Sequence, residues 1–275
     1  MPTLVQFPHP SGEHRPPGSQ GVMPWNTRPH KRKFLLSGGT ALDGTGTSTT
    51  GDWVFWGEWE SESRYERLTR SPAPGFPTHL HRPFWTEPQT GVFRQNTDPY
   101  VFGECFRYSN CKQLNGGRPT YLQRLQPGSV LLFGGSPGGQ FIVDTVFVVA
   151  SATRWVPRFS DEITDPTLRR VTCESVGTSP GLDADTGFTL YEGATPEDPV
   201  HGMFSFTPCL PFEPDCLGFR RPVIVLPQIN PRSLMAPKGS ELPLDGLQAA
   251  WDNVCRQVLD QDLLLGVSFK TPPHE

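Results

Sequence analysis

Trp53-Val54-Phe55-Trp56-Gly57-Glu58-Trp59-Glu60 is the stretch on which the fold turns. Aromatic and β-branched side chains in close succession favour a pleated, extended backbone. If the extension continues, its two-residue period places Val54, Trp56, Glu58 and Glu60 on one face, so two carboxyl groups project side by side next to an indole. Working outward, residues 34–36 read as a preceding strand, and the Gly/Thr-rich residues 38–51 as a flexible loop or hairpin connection. Downstream, 101–102, 130–133 and 141–150 read as strands, the last two joined by Gly134-Gly135-Ser136-Pro137-Gly138-Gly139, a hairpin signal. Weaker strands are expected near 188–191, 203–206 and 223–226. One helix is expected over 245–265, with Asp245 as N-cap, Leu247, Trp251, Val254 and Val258 at helical spacing, and Gly266 as terminator. Residues 1–33, rich in Pro, Gly and His, read as a largely extended segment, and 72–88 as a proline-punctuated connection. The expected architecture is α+β and strand-rich: one domain spanning 1–275, a curved antiparallel sheet or partial barrel with the C-terminal helix packed on it.

Composition agrees with short strands and ordered loops: 31 Pro and 28 Gly occur among 275 residues, and hydrophobic residues make up 35%. No long apolar run marks a membrane span, and the N-terminus lacks a secretory pattern, so a cytoplasmic location with no membrane partner is expected. The six cysteines do not show the tight spacing of structural zinc knuckles and read as packed thiols. A net charge of -4 excludes a globally basic nucleic-acid binder, but Arg28, His30, Lys31, Arg32 and Lys33 concentrate positive charge in one short run. Arg28, Lys31, Arg32 and Lys33 are therefore candidate phosphate contacts.

Two segments carry the best candidates for chemistry. In the first, Trp56 and Trp59 set planar rings beside Glu58 and Glu60. Rings stack on sugars or bases, and an apolar neighbour raises a carboxyl pKa toward the range of proton transfer. Carboxyl groups two residues apart on a strand can also reach the roughly 5–9.5 Å separation of paired-carboxylate glycoside cleavage. In the second, Gln95-Asn96-Thr97-Asp98-Pro99-Tyr100, proline holds Asp98 out of helical geometry, and Asn96 and Tyr100 flank it with an amide and a ring. Core packing for the rings and a structural turn for Asp98 are the competing readings. Asp144 interrupts an otherwise apolar run, so it must be paired, hydrogen-bonded or protonated. His79 and His81 could face one way from a strand, but no third ligand is specified, and no metal or cofactor is expected. No Walker loop, dinucleotide fingerprint, nucleophile elbow or H-E-x-x-H motif is present.

Several segments taken in order resemble a bacterial family of anti-phage DNA glycosylases acting on modified bases: Phe7-Pro8-His9-Pro10-Ser11-Gly12-Glu13-His14, Trp25-Asn26, His30-Lys31-Arg32-Lys33-Phe34, Phe55 to Glu60, Asn96 to Gly103, Leu131 to Gly134 and Asp144 to Val149. Asp98-Pro99-Tyr100 and His9-Pro10-Ser11 also look like motifs of uracil-DNA glycosylases, in reversed order along the chain. Residues 131–149 resemble the strand pair of PUA-like modules, which cradle a flipped modified base. The first resemblance implies excision of a modified base, such as glucosylated hydroxymethylcytosine, from phage DNA as antiviral defence. Glu58, Glu60 and Asp98 would then act on the sugar and water, while Trp56, Trp59, Asn96, Tyr100, His79 and His81 would bind the substrate. A non-catalytic reader of modified bases and a protein-interaction domain are the alternatives.

Overall fold

The computed structural model describes residues 1–10, 12–68, 73–88, 91–214, 218–232 and 236–275. Ser11, Pro72 and Cys216 of the expectations above lie outside these. Among the described residues the strands are, in chain order, β1 (Thr3–Pro8), β2 (Gln20–Met23), β3 (Lys33–Leu42), β4 (Ser48–Gly57), β5 (Ser63–Arg67), β6 (His79–Pro83), β7 (Arg107–Tyr108), β8 (Leu114–Asn115), β9 (Arg118–Pro119), β10 (Val130–Gly135), β11 (Ile142–Trp155), β12 (Phe188–Gly193), β13 (Thr207–Pro211), β14 (Lys238–Glu241) and β15 (Leu264–Phe269). The C-terminal helix spans Leu244–Leu259. No helix among the described residues is long and apolar enough to cross a membrane.

The fold is α+β and strand-rich, with two larger sheets. One runs β14-β1-β10-β11-β12-β7; the other runs β15-β13-β4-β3-β6-β5-β2, and a further β15–β3 pairing closes β3, β4, β13 and β15 into a four-strand barrel. At that closure a Cβ on Gly39 would lie 2.0 Å from the Ser268 carbonyl oxygen, so only glycine admits the crossing strand.

Side-chain alternation divides the interior into two cores. Trp53 and Phe55 of β4 join Leu131 and Phe133 of β10 and Phe147 and Val149 of β11 in one. Val54, Trp56, Val130, Leu132, Val146 and Val148 face the other, together with Leu247, Trp251, Val254 and Val258 of the helix. Strands buried on both faces carry continuous apolar runs, which is why 141–149 lacks alternation.

Several expectations are corrected. Within residues 1–33, expected as a largely extended segment, β1 is more than that: it lies inside a sheet, parallel to β10 and antiparallel to β14. β3 and β6 form a second parallel pair, within the otherwise antiparallel sheet that carries the barrel. Residues 38–51 are mostly the two arms of the β3–β4 hairpin, turned at Asp43, whose carboxyl accepts from Thr45 and Thr47. The helix stops at Leu259, and 264–269 is the strand that closes the barrel. Its N-cap is Pro243, not Asp245. Residues 101–102 and 223–226 are not strands, and 79–83 in the supposed connection is β6.

Candidate functional site

The Trp56–Glu60 and Asn96–Tyr100 segments meet at the open end of the β3–β4 hairpin. Lys33 pairs with Gly57 at the last rung, so Arg32 and Glu58 leave the strands opposite each other. Arg32 is 1% exposed. Its guanidinium donates to Glu58 Oε2, to Asp144 Oδ2 at 3.1 Å and to His9 Nδ1.

Asp144 reaches this point because of a bulge. Phe133 pairs with Thr145 but Gly134 pairs with Val143, which leaves Asp144 as the extra residue on β11. A bulge re-aims one side chain out of the regular alternation. Gly134 makes the bulge feasible, since a Cβ there would lie 2.0 Å from the Ile142 carbonyl oxygen. Its own carbonyl accepts from the His9 amide, which docks the end of β1 beside the cluster.

On the other side of Glu58 stands His30. Its Nδ1 lies 3.0 Å from Glu58 Oε1 and 3.2 Å from Glu60 Oε1. Asn26 donates its side-chain amide to Glu60 Oε2, and the Glu60 amide donates to Thr97 Oγ1 at 3.0 Å. The neighbouring Asp98 amide points at Glu58 Oε1, 3.3 Å away. Asp98 itself accepts three amides, from Ser109 at 2.9 Å, Asn110 at 2.8 Å and Cys111 at 2.6 Å. It therefore clamps the 109–111 turn against Glu58.

Electrostatics assigns the protons. Burial works against charge on His30, but Glu58, through charge and hydrogen bond, and Glu60 outweigh it and raise the imidazole to about 10. Burial likewise opposes charge on Glu58, and His30 and Arg32 overcome it, holding the carboxyl well below the usual range. His9 goes the other way: burial, then Arg32, lowers it well below 6.5. Because Arg32 can only donate, His9 Nδ1 is the acceptor and Nε2 carries the proton, directed at Cys111 Sγ 3.7 Å away. Burial, then Asp98, pushes the Cys111 thiol up, so this Cys–His contact holds no thiolate nucleophile. Burial also raises Asp98, to about 7, against the pull of its three amides.

Arg32, His30 and Arg221 thus meet Glu58, Glu60 and Asp144 in one network, with Arg221 3.2 Å from Asp144 Oδ1. His30 Nδ1 and one oxygen each of Glu58 and Glu60 lie within 4.8 Å of one another, the spacing of a metal tripod. A divalent cation would have to displace the proton that His30 carries there. His30 is the member that reaches solvent, its side chain 28% exposed.

Other expected site residues lie elsewhere. Trp59 and Tyr100 are core side chains with no exposed surface, so neither offers a ring face for stacking. Trp59 packs edge-on against Phe102 and donates its indole NH to the Glu62 carbonyl. Trp56 is almost buried, with the Arg221 guanidinium 5.0 Å above its ring. Asn96 is half-buried and its side chain forms no hydrogen bond among the described residues. His79 and His81 are buried in β6: His79 bonds Thr78 and the Gly18 carbonyl, and His81 bonds Ser63. They are packing groups of the β5–β6 pair, not a substrate face.

The basic run divides by burial. Arg28 and Lys31 are exposed, whereas Arg32 and Lys33 are buried and cannot meet phosphate. Lys33 Nζ donates to the Ser61 carbonyl at 3.2 Å, and burial lowers it to about 8.

His9, Asn26, His30 and Arg221 were not legible as site residues. His9 and Asn26 lie in motif-like segments, but nothing in their spacing points to Arg32 or Glu60. The five described cysteines are free. Comparison with family models, with curated proteins and with solved structures finds no match.

Proposed function

We propose that the chain is a DNA glycosylase that removes a modified base, with His30, Glu58 and Glu60 as its reacting groups. The observation that carries this reading is the His30 imidazole, its Nδ1 3.0 Å from Glu58 and 3.2 Å from Glu60 at the solvent edge of an otherwise buried cluster, where the two carboxyl groups favour its protonated form. Hydrolysis of an N-glycosidic bond needs both signs of charge. The bond from C1′ to the base nitrogen breaks, and its electron pair leaves with the base while positive charge develops on the sugar. A cation beside the departing base and an anion beside the sugar both stabilise that state. His30 supplies the first and donates its proton to the base. Glu58 and Glu60, buried behind it, supply the second through their charge, and His30, neutral once the base has left with its proton, takes the proton released when water adds to C1′.

Asp98 is a positioning residue in this scheme, because its carboxyl is occupied by the 109–111 amides while its own amide orients Glu58. Asn96, with an uncommitted side-chain amide beside Thr97, reads a polar edge of the flipped base. The likeness of these segments to anti-phage glycosylases supports phage DNA with glucosylated hydroxymethylcytosine as the substrate, and excision in the cytoplasm as antiviral defence.

The test is incubation with T-even phage DNA followed by alkali cleavage at abasic sites. Wild-type protein is expected to produce alkali-labile sites, and Glu58→Gln and Glu60→Gln to lower their rate by about 10²-fold or more. Circular dichroism of each variant controls for folding. Tight binding without scission would instead make the protein a reader of modified bases. Absence of both would leave a protein-interaction domain.

A further inference from the structure

A cleft of about 670 Å³ opens on the far side of Arg221, bordered by Arg15, Trp56, Phe76, Gly138, Arg220 and Arg221. Its volume falls within the range of small-ligand and nucleotide sites. The guanidinium groups in it are held in place. Arg221 is fixed by Asp144 at 3.2 Å and lies over the Trp56 ring at 5.0 Å. Arg220 lies 5.2 Å over the Phe76 ring, and its stem runs along Gly75, where a Cβ would meet Cγ at 3.6 Å. Among the described residues no carboxylate pairs with Arg220, and the residue is exposed.

Glu13 is the acidic group in this wall, and its oxygens are taken. Oε1 accepts from the Thr78 amide, the Thr78 hydroxyl and the His79 amide, and Oε2 accepts from Arg15 Nε at 2.9 Å. It therefore orients Arg15 and leaves the cleft cationic. A guanidinium stacked on an aromatic ring keeps its fork of N–H donors pointing outward, which suits the paired oxygens of a phosphate ester. Gly138 adds an open backbone surface, since a Cβ there would meet nothing within 4 Å.

We infer that this cleft binds the phosphodiester backbone of nucleic acid through the exposed Arg15 and Arg220, with the largely buried Arg221 in the same wall, a role that the buried Arg32 and Lys33 cannot take. The inference deepens the DNA-glycosylase reading and rests on it for the choice of polymer. Phosphate seated here would be joined to the reacting groups through Arg221, Asp144, Arg32 and Glu58, a continuous chain of charged contacts.

The chemistry shared by a free nucleotide and a DNA strand is the phosphate ester, and two probes separate them. The first is a fluorescein-labelled duplex carrying glucosylated hydroxymethylcytosine, titrated with protein over a salt series. The slope of log affinity against log salt is expected to fall by about 1 in Arg220→Ala and by about 2 in Arg15→Ala/Arg220→Ala. Arg118→Ala, an exposed arginine outside the cleft, should leave it unchanged. The second probe is a nucleoside monophosphate read by thermal shift. If it binds through Arg220 while the duplex does not bind, the polymer assignment is overturned in favour of a free nucleotide. If the duplex binds with the same slope in wild type and both arginine variants, or if neither probe binds, the cleft assignment is overturned. The two readings fail separately: an Arg220-dependent slope without abasic sites removes the glycosylase reading and keeps the cleft, and abasic sites with an unchanged slope do the reverse.

Discussion

Arg32 and Arg220 carry the same side chain on two sides of one charged network, and their surroundings give them opposite meaning. Arg32 is sealed among Glu58, Asp144 and His9, each of its contacts made within the protein. Arg220 stands exposed on a phenylalanine ring. A buried cation removed from its partners leaves their charges desolvated and uncompensated, whereas an exposed one is replaced by water. Burial therefore turns one arginine into a structural post and leaves the other available to a ligand.

Replacing Arg32 tests the sealed side most severely. Arg32→Met keeps much of the apolar stem but abandons Glu58 and Asp144, and urea unfolding should register a loss of about 3–5 kcal/mol. A loss as small as that of an exposed arginine would erase the contrast. Arg32→Lys should rescue only part of it, because a single ammonium cannot serve His9, Glu58 and Asp144 along a planar fork.

The bulge that delivers Asp144 is the next point of attack. Gly134→Ala forces a methyl group against the Ile142 carbonyl, and about 1–3 kcal/mol of stability should be lost as the strands part. Because the distortion moves Asp144, it should also loosen Arg221 and alter ligand binding in the cleft, which the salt slope would reveal. Unchanged unfolding and an unchanged slope would mean that the bulge does not couple the two regions.

The proton on His30 distinguishes the regions by pH. Its folded pKa of about 10 lies above the unfolded value of about 6.5, so its contribution to stability is complete below about 6.5. That contribution is lost as pH rises from there through about 10. Urea midpoints should therefore fall toward high pH, and the fall should be shallower in His30→Gln. Identical pH profiles for the two proteins would contradict the ion-paired imidazole. On the open side, Arg220→Ala should change stability by less than about 0.5 kcal/mol at any of these pH values.

Local chemistry carried much of the fold. The aromatic and β-branched runs at 53–56, 130–133 and 141–149 became β4, β10 and β11, and the periodic Leu247, Trp251, Val254 and Val258 became the helix face. What failed was local reading of segments whose order comes from distant partners. β1 is short, and it is a strand because β10 and β14 flank it; residues 101–102 have strand-like side chains but no ladder partner. The N-terminal composition, heavy in Pro and Gly, concealed Leu4, Val5 and Phe7, which are buried in the two cores.

The same division holds for the site. The sequence by itself determined that Glu58 and Glu60 lie beside tryptophans, that Asp98 is fixed before a proline, and that Asp144 needs a partner. Tertiary structure decided who those partners are: residues 30 and 32, just before β3, meet 98, 144 and 221 from distant parts of the chain, and their pairing depends on strand register and one bulged residue. It also decided which rings and bases are available, sending Trp59, Tyr100, Arg32 and Lys33 inward and leaving Arg220 in water. Residue type sets the cost of burying a charge or a ring, but only the packed chain sets the solvent and neighbours against which that cost is measured.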